Sequence, residues 1–303
     1  MKLLVLGASG QVGFELVRAL APLGEVVAAT RTADGKRIEA DLAQPASLAS
    51  ALDAVRADIV VNAAAYTAVD RAEDEPALAD RVNHLAVGEI GRWARQSGAR
   101  IVHYSTDYVF EGSATTPYRE DDPTAPLGVY GRSKLAGEQA LRASGAPHLL
   151  LRTAWVYGAR GHNFLRTMLR LAAERDEIRV VADQIGAPTP ARVIADTTAA
   201  MIRRWLAEGE RLDGTYHVVT RGQTSWFAFA EAILRGARER SLIPALPRIV
   251  PITTADYPTR ARRPAYSVLD GARLERAFGL QLPEWASALA AVLDELAAAR
   301  DER

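Results

Sequence analysis

A short apolar run, Lys2 to Leu6, stops at Gly7, and from Phe14 to Gly24 the apolar positions recur at helical spacing. The run predicts a buried strand, and the segment after it an amphipathic helix. The alternation continues. Glu25–Thr30 reads as a second strand, Ile38–Ala40 as a short third, Ala46–Val55 as a helix, and Asp58–Ala65 as a strand ending in small residues. Glu75–Ser97 reads as one long helix with Pro76 at its start, Arg100–Phe110 and His148–Gly158 as strands, and Gly112–Pro126 as a mobile lid rich in Pro, Thr and Asp. Strands that alternate with helices predict an α/β fold with a parallel, doubly wound sheet covered on both faces. After Gly158 the character changes. Helices are expected over Asn163–Glu174, Arg192–Leu206 and Ser225–Arg238, strands over Ile178–Asp183 and Gly214–Val219, and a last amphipathic stretch over Leu282–Ala299. No low-complexity linker or internal repeat separates the halves.

Composition narrows the function. Lys plus Arg and Asp plus Glu each total 37 of 303 residues, so the formal net charge is zero and no basic excess points to nucleic acid or an anionic membrane. There are no cysteines, which excludes disulfides, thiolate nucleophiles and Cys-based zinc sites. The first apolar run is too quickly broken for a signal peptide, and no run reaches the ~18 apolar residues of a membrane helix, so a cytoplasmic protein is expected.

Three stretches carry candidate chemistry. Gly7, Gly10 and Gly13 sit between the first strand and the first helix, spaced to let a pyrophosphate approach the backbone at a helix N-terminus. At the end of the second strand, where a carboxylate would grip a ribose 2′-hydroxyl, stand Thr30 and Arg31. Arg31 would attract a 2′-phosphate, so NADPH is expected ahead of NADH. Asp41 and Leu42 are placed to edge the adenine, and the small residues ending Asp58–Ala65 let a cofactor lie against the backbone. Ser105, Thr106, Asp107 and Tyr108 bring hydroxyls to a strand end. Tyr130 and Lys134, four apart in a helix, share one face, and an ammonium there would lower the phenol pKa from about 10.

With GASGQVG, NAAA and the Tyr130–Lys134 pair, the chain resembles the extended short-chain dehydrogenase/reductase superfamily. Within it, NAAAYTAVDRAE (Asn62–Glu73), STDYVFEG (Ser105–Gly112), YGRSKLAGE (Tyr130–Glu138), RTAWVYG (Arg152–Gly158), DQIGAPT (Asp183–Thr189) and RARRPAYS (Arg260–Ser267) resemble the dTDP-4-dehydrorhamnose reductases. The resemblance implies a Rossmann-type NAD(P)-binding domain over 1–158, to which segments near 192–220 return, and a smaller interwoven substrate-binding lobe over 159–303. It implies NADPH-dependent reduction of the C4 ketone of a nucleotide sugar. Tyr130 would be the proton donor, with Lys134 ordering the nicotinamide ribose and Thr106 holding the substrate oxygen. Asp107 and Trp155 would contact the sugar. Gly10, Gln11 and Val12 would belong to the phosphate turn, and Ala63, Ala64 and Ala65 would back the cofactor. Arg262 and Arg263 are candidates for the diphosphate, since guanidinium matches phosphate geometry.

The neighbours within the superfamily fit less well. Its 4,6-dehydratases carry Asp-Glu after the strand-end threonine, whereas Asp107 is followed by Tyr108. An epimerase would share Tyr130 and Lys134 but recycle its cofactor. A docking protein like the regulatory subunit of methionine adenosyltransferase would not need Thr106, Tyr130 and Lys134 together. Some family members are described as metal-bridged dimers. Glu15 suits that role, but Arg192 stands where an acidic cluster would be wanted, so no metal ligand is assigned, Mg²⁺ has little basis here, and a homodimer is left open.

Overall fold

The computed structural model describes residues 1–301. Seven parallel strands form the central sheet: β1 (Lys2–Leu6), β2 (Glu25–Thr30), β3 (Ile38–Glu39), β4 (Ile59–Asn62), β5 (Arg100–Thr106), β6 (His148–Thr153) and a last strand, Gly214–His217. Their order across the sheet is Gly214–His217, β6, β5, β4, β1, β2, β3. The chain therefore runs outward from β1 in one direction and restarts at β4 on its other side. That reversal falls between β1 and β4, whose carboxyl ends lead into Gly7 and Ala63; in such sheets ligands bind outside the carboxyl ends at this point.

Alternation along each strand sorts the core. Leu3, Val5, Ile59, Val61 and Val102 pack with α1 (Gln11–Leu20) and the helix Ala191–Glu208. Leu4, Leu6, Val60, Ile101 and Leu150 face the other way, with α2 (Pro45–Val55) and the helices Ala86–Ser97 and Val129–Ser144. Fully burying each such leucine or isoleucine is worth roughly 1.5–3 kcal/mol. A separate apolar cluster (Ile178, Val180, Phe229, Ile233, Leu289 and Leu293) joins the paired strands Glu177–Val181 and Arg248–Ile252 to the helices Trp226–Glu239 and Trp285–Asp301.

Several elements are shorter or more broken than their apolar runs predict, each for a local reason. β4 stops at Asn62 because its side-chain oxygen accepts the Ala64 N–H at 3.1 Å, turning the small residues out of the sheet. β5 stops at Thr106, whose hydroxyl accepts the Tyr108 N–H and starts a 3-10 turn over Asp107–Val109. The predicted strand 148–158 is two strands: Trp155 takes the left-handed φ of 47°, and Val156–Tyr157 leaves the sheet to pair with Thr189–Pro190. The predicted helix 75–97 is interrupted by a π turn, Arg81–Leu85, which carries the buried Asn83. Gly112–Pro126 is not a free lid. Tyr118 stacks on Phe110 at 4.3 Å, and its hydroxyl accepts the backbone N–H groups of Gly112, Ser113 and Ala114.

The helix Val129–Ser144 approaches that π turn closely. A Cβ on Gly137 would lie 2.0 Å from the Asn83 carbonyl oxygen. Gly137→Ala must push backbone apart, and a loss of about 1–3 kcal/mol is expected. Denaturant titration of the variant against the native chain measures it.

Candidate active site

The glycine turn is built so that nothing else fits. Gly7 has φ +78°, and a Cβ there would sit 2.7 Å from the Ala64 nitrogen; one on Gly13 would sit 2.1 Å from the Gly7 carbonyl oxygen. Gly10 precedes α1, so Gln11 and Val12 open that helix with its free N–H groups directed at the turn. Ala63, Ala64 and Ala65 lie alongside, with the Ala63 N–H bound to Leu6 O at 3.0 Å. This bare backbone cradle suits a pyrophosphate. Its outer side is tied to the segment after β6, since Asn163 Nδ2 donates to Gln11 Oε1 at 2.9 Å.

Tyr130 enters from the helix Val129–Ser144. Its first turn is capped from outside, the Val129 N–H donating to Glu73 Oε1 at 2.8 Å. Every fourth residue of this helix (Tyr130, Lys134, Glu138, Arg142) falls on one face, and that face meets the polar ends of β4, β5 and β6. Lys134 is buried, donating to the Tyr104 carbonyl at 2.6 Å with His103 Nε2 3.5 Å away. Burial lowers its pKa to about 8 against the opposing pull of Glu138. Glu138 in turn holds Arg152 through two bonds, 2.9 and 2.7 Å.

The expected lowering of the tyrosine is not what the fold produces. Burial pushes the Tyr130 phenol up to about 12; the Thr106 hydroxyl pulls it down and the Asp107 charge pushes it up further. Tyr130 is thereby kept as a protonated phenol.

Thr106 and Asp107 complete this corner. The Thr106 hydroxyl donates to Asp107 Oδ1 at 2.9 Å, and burial raises the Asp107 carboxyl to about 6, with Ser267 and Thr106 drawing it back. Tyr108 meets the Tyr130 ring edge-on at 5.6 Å. Arg263 lies 6.0 Å from the Tyr108 ring; its Nη2 donates to Asp70 at 2.7 Å, while its buried Nη1 has no hydrogen-bond partner among the described residues. Arg262 is exposed. Trp155, half-buried, stacks on Trp226 with ring centroids 3.5 Å apart and lies over Gly186, where a Cβ would meet the indole at 2.3 Å. Trp226 thus covers one face of the indole.

The remaining expected positions lie at and beyond the ends of β2 and β3. Thr30 is buried and donates to the Thr32 carbonyl, leaving Arg31 exposed beyond it. Asp41 is engaged locally, accepting the Ala43 N–H at 2.9 Å, and Leu42 belongs to the core. Glu15 is paired with Arg18 and Arg192, each at 3.2 Å, and Arg192 also reaches Glu295 at 3.0 Å. The Arg192 guanidinium thus bridges the carboxylates of Glu15 and Glu295. Among the described residues no helix is long and apolar enough to cross a membrane.

Three residues of this corner are not marked by any motif of their own. Glu138 and Arg152 stand inside the longer motifs YGRSKLAGE and RTAWVYG, and the four-residue spacing from Lys134 to Glu138 marks a shared helix face. His103 is a polar residue in an otherwise apolar strand, and that break in pattern is its signal.

Comparison with known proteins bears on this geometry. The family model described as the RmlD substrate binding domain matches residues 1–298. A dTDP-4-dehydrorhamnose reductase of Burkholderia thailandensis is 51% identical, covering 98% of this chain and 99% of that protein. A solved dTDP-4-dehydrorhamnose reductase of Clostridium acetobutylicum superposes with a TM-score of 0.86 at 34% identity, over 98% of this chain and 99% of the other. The Bacillus anthracis enzyme of that name, solved in complex with NADP, also has a TM-score of 0.86 at 34% identity, over 97% and 99%. With a matching family model over nearly its whole length and a parallel sheet switched at the glycine turn, this chain belongs to the dTDP-4-dehydrorhamnose reductase family.

Proposed function

We propose that the protein reduces the C4 ketone of dTDP-4-dehydro-L-rhamnose to the alcohol of dTDP-L-rhamnose, with NADPH as reductant and Tyr130 as proton donor. The observation that carries this reading is the meeting of Thr106 and a protonated Tyr130 at the carboxyl end of β5, two strands from the glycine cradle. When bound in that cradle, NADPH supplies the hydride for C4. The chain's own residues do the rest. Gly7 to Gly13 admit the pyrophosphate, Ala63 to Ala65 back the dinucleotide, Asp41 and Leu42 border the adenine, and Lys134 holds the nicotinamide ribose. Thr106 turns its hydroxyl proton from Asp107 to the ketone oxygen and orients it. As charge develops there, Tyr130 transfers its proton, so that carbon gains hydride, oxygen gains H⁺, and the products are an alcohol and NADP⁺.

In this reading residues 1–158, with the returning segments near 192–220, hold the cofactor, and the rest of 159–303 holds the sugar nucleotide. Asp107 and Trp155 face the sugar, and Arg263, with Nη1 unspent, serves the diphosphate. The names of the relatives support the substrate. The test is to mix protein, NADPH and dTDP-4-dehydro-L-rhamnose, follow nicotinamide absorbance and identify the product. Binding of NADPH without its consumption would end the reductase reading.

Arg31 is assigned the 2′-phosphate. Loss of a charge-assisted contact of about 1.5–3 kcal/mol corresponds to roughly 10–100-fold. Arg31→Asp is therefore expected to raise KM for NADPH by about that factor and leave KM for NADH nearly unchanged. Equal effects on both cofactors would take Arg31 out of the selection.

A further inference from the structure

His103 is buried on β5, on the sheet face shared by Asn62 and the helix Val129–Ser144, and the reaction above gives it no task. Its Nδ1 lies 3.2 Å from Asn62 Nδ2 and its Nε2 3.5 Å from Lys134 Nζ. The Asn62 amide has one allowed orientation. Its oxygen takes the Ala64 N–H at 3.1 Å, and a backbone N–H only donates. Asn62 must then present its NH₂ to His103, which makes Nδ1 the acceptor. A neutral imidazole that accepts at Nδ1 carries its proton on Nε2, and that proton faces Lys134.

We infer that His103 is a positioning residue for Lys134: fixed by Asn62 as the Nε2–H tautomer, it turns a donor rather than an acceptor toward the lysine amine. The inference deepens the reductase reading, and rests on it for the role of Lys134 as the residue that holds the cofactor ribose. An ammonium offers only donors, so it gains nothing from Nε2–H and keeps the Tyr104 carbonyl as its protein acceptor. An uncharged amine has a lone pair that can accept Nε2–H. His103 thus works with burial to bring Lys134 toward neutrality, where its charge responds to what binds beside it. The groups facing this amine are His103 and the Tyr104 carbonyl from β5, Asn62 beyond them on β4, and Glu138 from its own helix. The Glu138 charge is shared with Arg152 and Arg142. Burial first, then Lys134 and His148, hold His103 well below its ordinary pKa and so uncharged.

The chain makes a direct test practical, because it contains only three lysines: Lys2, Lys36 and Lys134. Protein labelled with ¹³C at the lysine ε-carbon should show three signals, with the low one, from Lys134, titrating below the ordinary lysine value. His103→Gln places a carbonyl acceptor beside the ammonium, and the low signal is expected to rise by about one pH unit, a tenfold change in the proton equilibrium. His103→Phe removes the donor to the neutral amine without supplying an acceptor for the ammonium, and should raise it by less than His103→Gln does. A folded His103→Gln variant with an unchanged Lys134 titration overturns the inference. The native protein supplies a second arm that needs no variant: among its five histidines, one ¹⁵N pair should show a protonated Nε2 and a bare Nδ1 that stay constant from about pH 5 to 8. The opposite tautomer for His103 overturns it equally. Neither measurement uses a sugar nucleotide, so the reductase assay and this inference can fail independently.

Discussion

Tyr130→Phe lowers kcat by roughly 10²–10⁴ while NADPH still binds, the range expected when a positioned general acid is lost. The phenyl ring keeps the edge-on packing against Tyr108 at 5.6 Å, so the surrounding wall survives the substitution. Only the hydroxyl disappears. With it goes the proton that burial holds in place by raising the phenol to about 12. Water must then deliver a proton into a corner closed by Thr106, Asp107 and Tyr108. Steady-state turnover and a fluorescence titration with NADPH, run on the same preparation, separate the two effects. A variant with near-native turnover would remove Tyr130 from the mechanism.

Glu138→Ala should be the most damaging single change to the fold outside the apolar core. Glu138 is 0% and Arg152 2% exposed, and the two are joined by a paired contact. Removing the carboxylate leaves a buried guanidinium with no counter-charge, which costs about 3–5 kcal/mol. It also withdraws the carboxylate that faces Lys134. Glu138→Gln retains an acceptor for Arg152 and should lose less. The pair has a pH signature as well. Burial raises the Glu138 pKa, but its bonds to Arg152 outweigh this, and the folded value lies below the ordinary 4.5. A depressed carboxyl pKa adds stability that is fully present above the unfolded value and disappears as pH falls through the folded one. Native protein should therefore lose stability steeply below about pH 4.5, and Glu138→Gln should lack that part of the slope. Thermal melts of both proteins across this range measure the difference; parallel pH dependences would show that Glu138 titrates alike folded and unfolded.

Much of this was legible in the chain alone, because local rules sufficed. Apolar runs and helical periodicity marked the parallel sheet and its order of elements, since a buried strand and an amphipathic helix each declare their own period. The glycines at 7, 10 and 13 declared the cradle, because no other residue tolerates φ +78° at Gly7 or the approach of Gly13 to the Gly7 carbonyl. The four-residue step from Tyr130 to Lys134 put both on one helix face. Which backbone group each polar side chain takes was not legible, since a residue's type does not choose among several partners. Where each strand ends depended on Asn62 and Thr106 finding backbone partners, and the anchored state of Gly112–Pro126 depended on Tyr118 reaching three N–H groups at once. The tyrosine pKa moved opposite to the local expectation, because the fold buries the phenol beside Asp107 and loss of water outweighs the Thr106 hydrogen bond. Residue types and their spacing follow from the chain; which donor meets which acceptor, and how far each is removed from water, exists only once β4, β5, β6 and the Tyr130 helix have closed on one another.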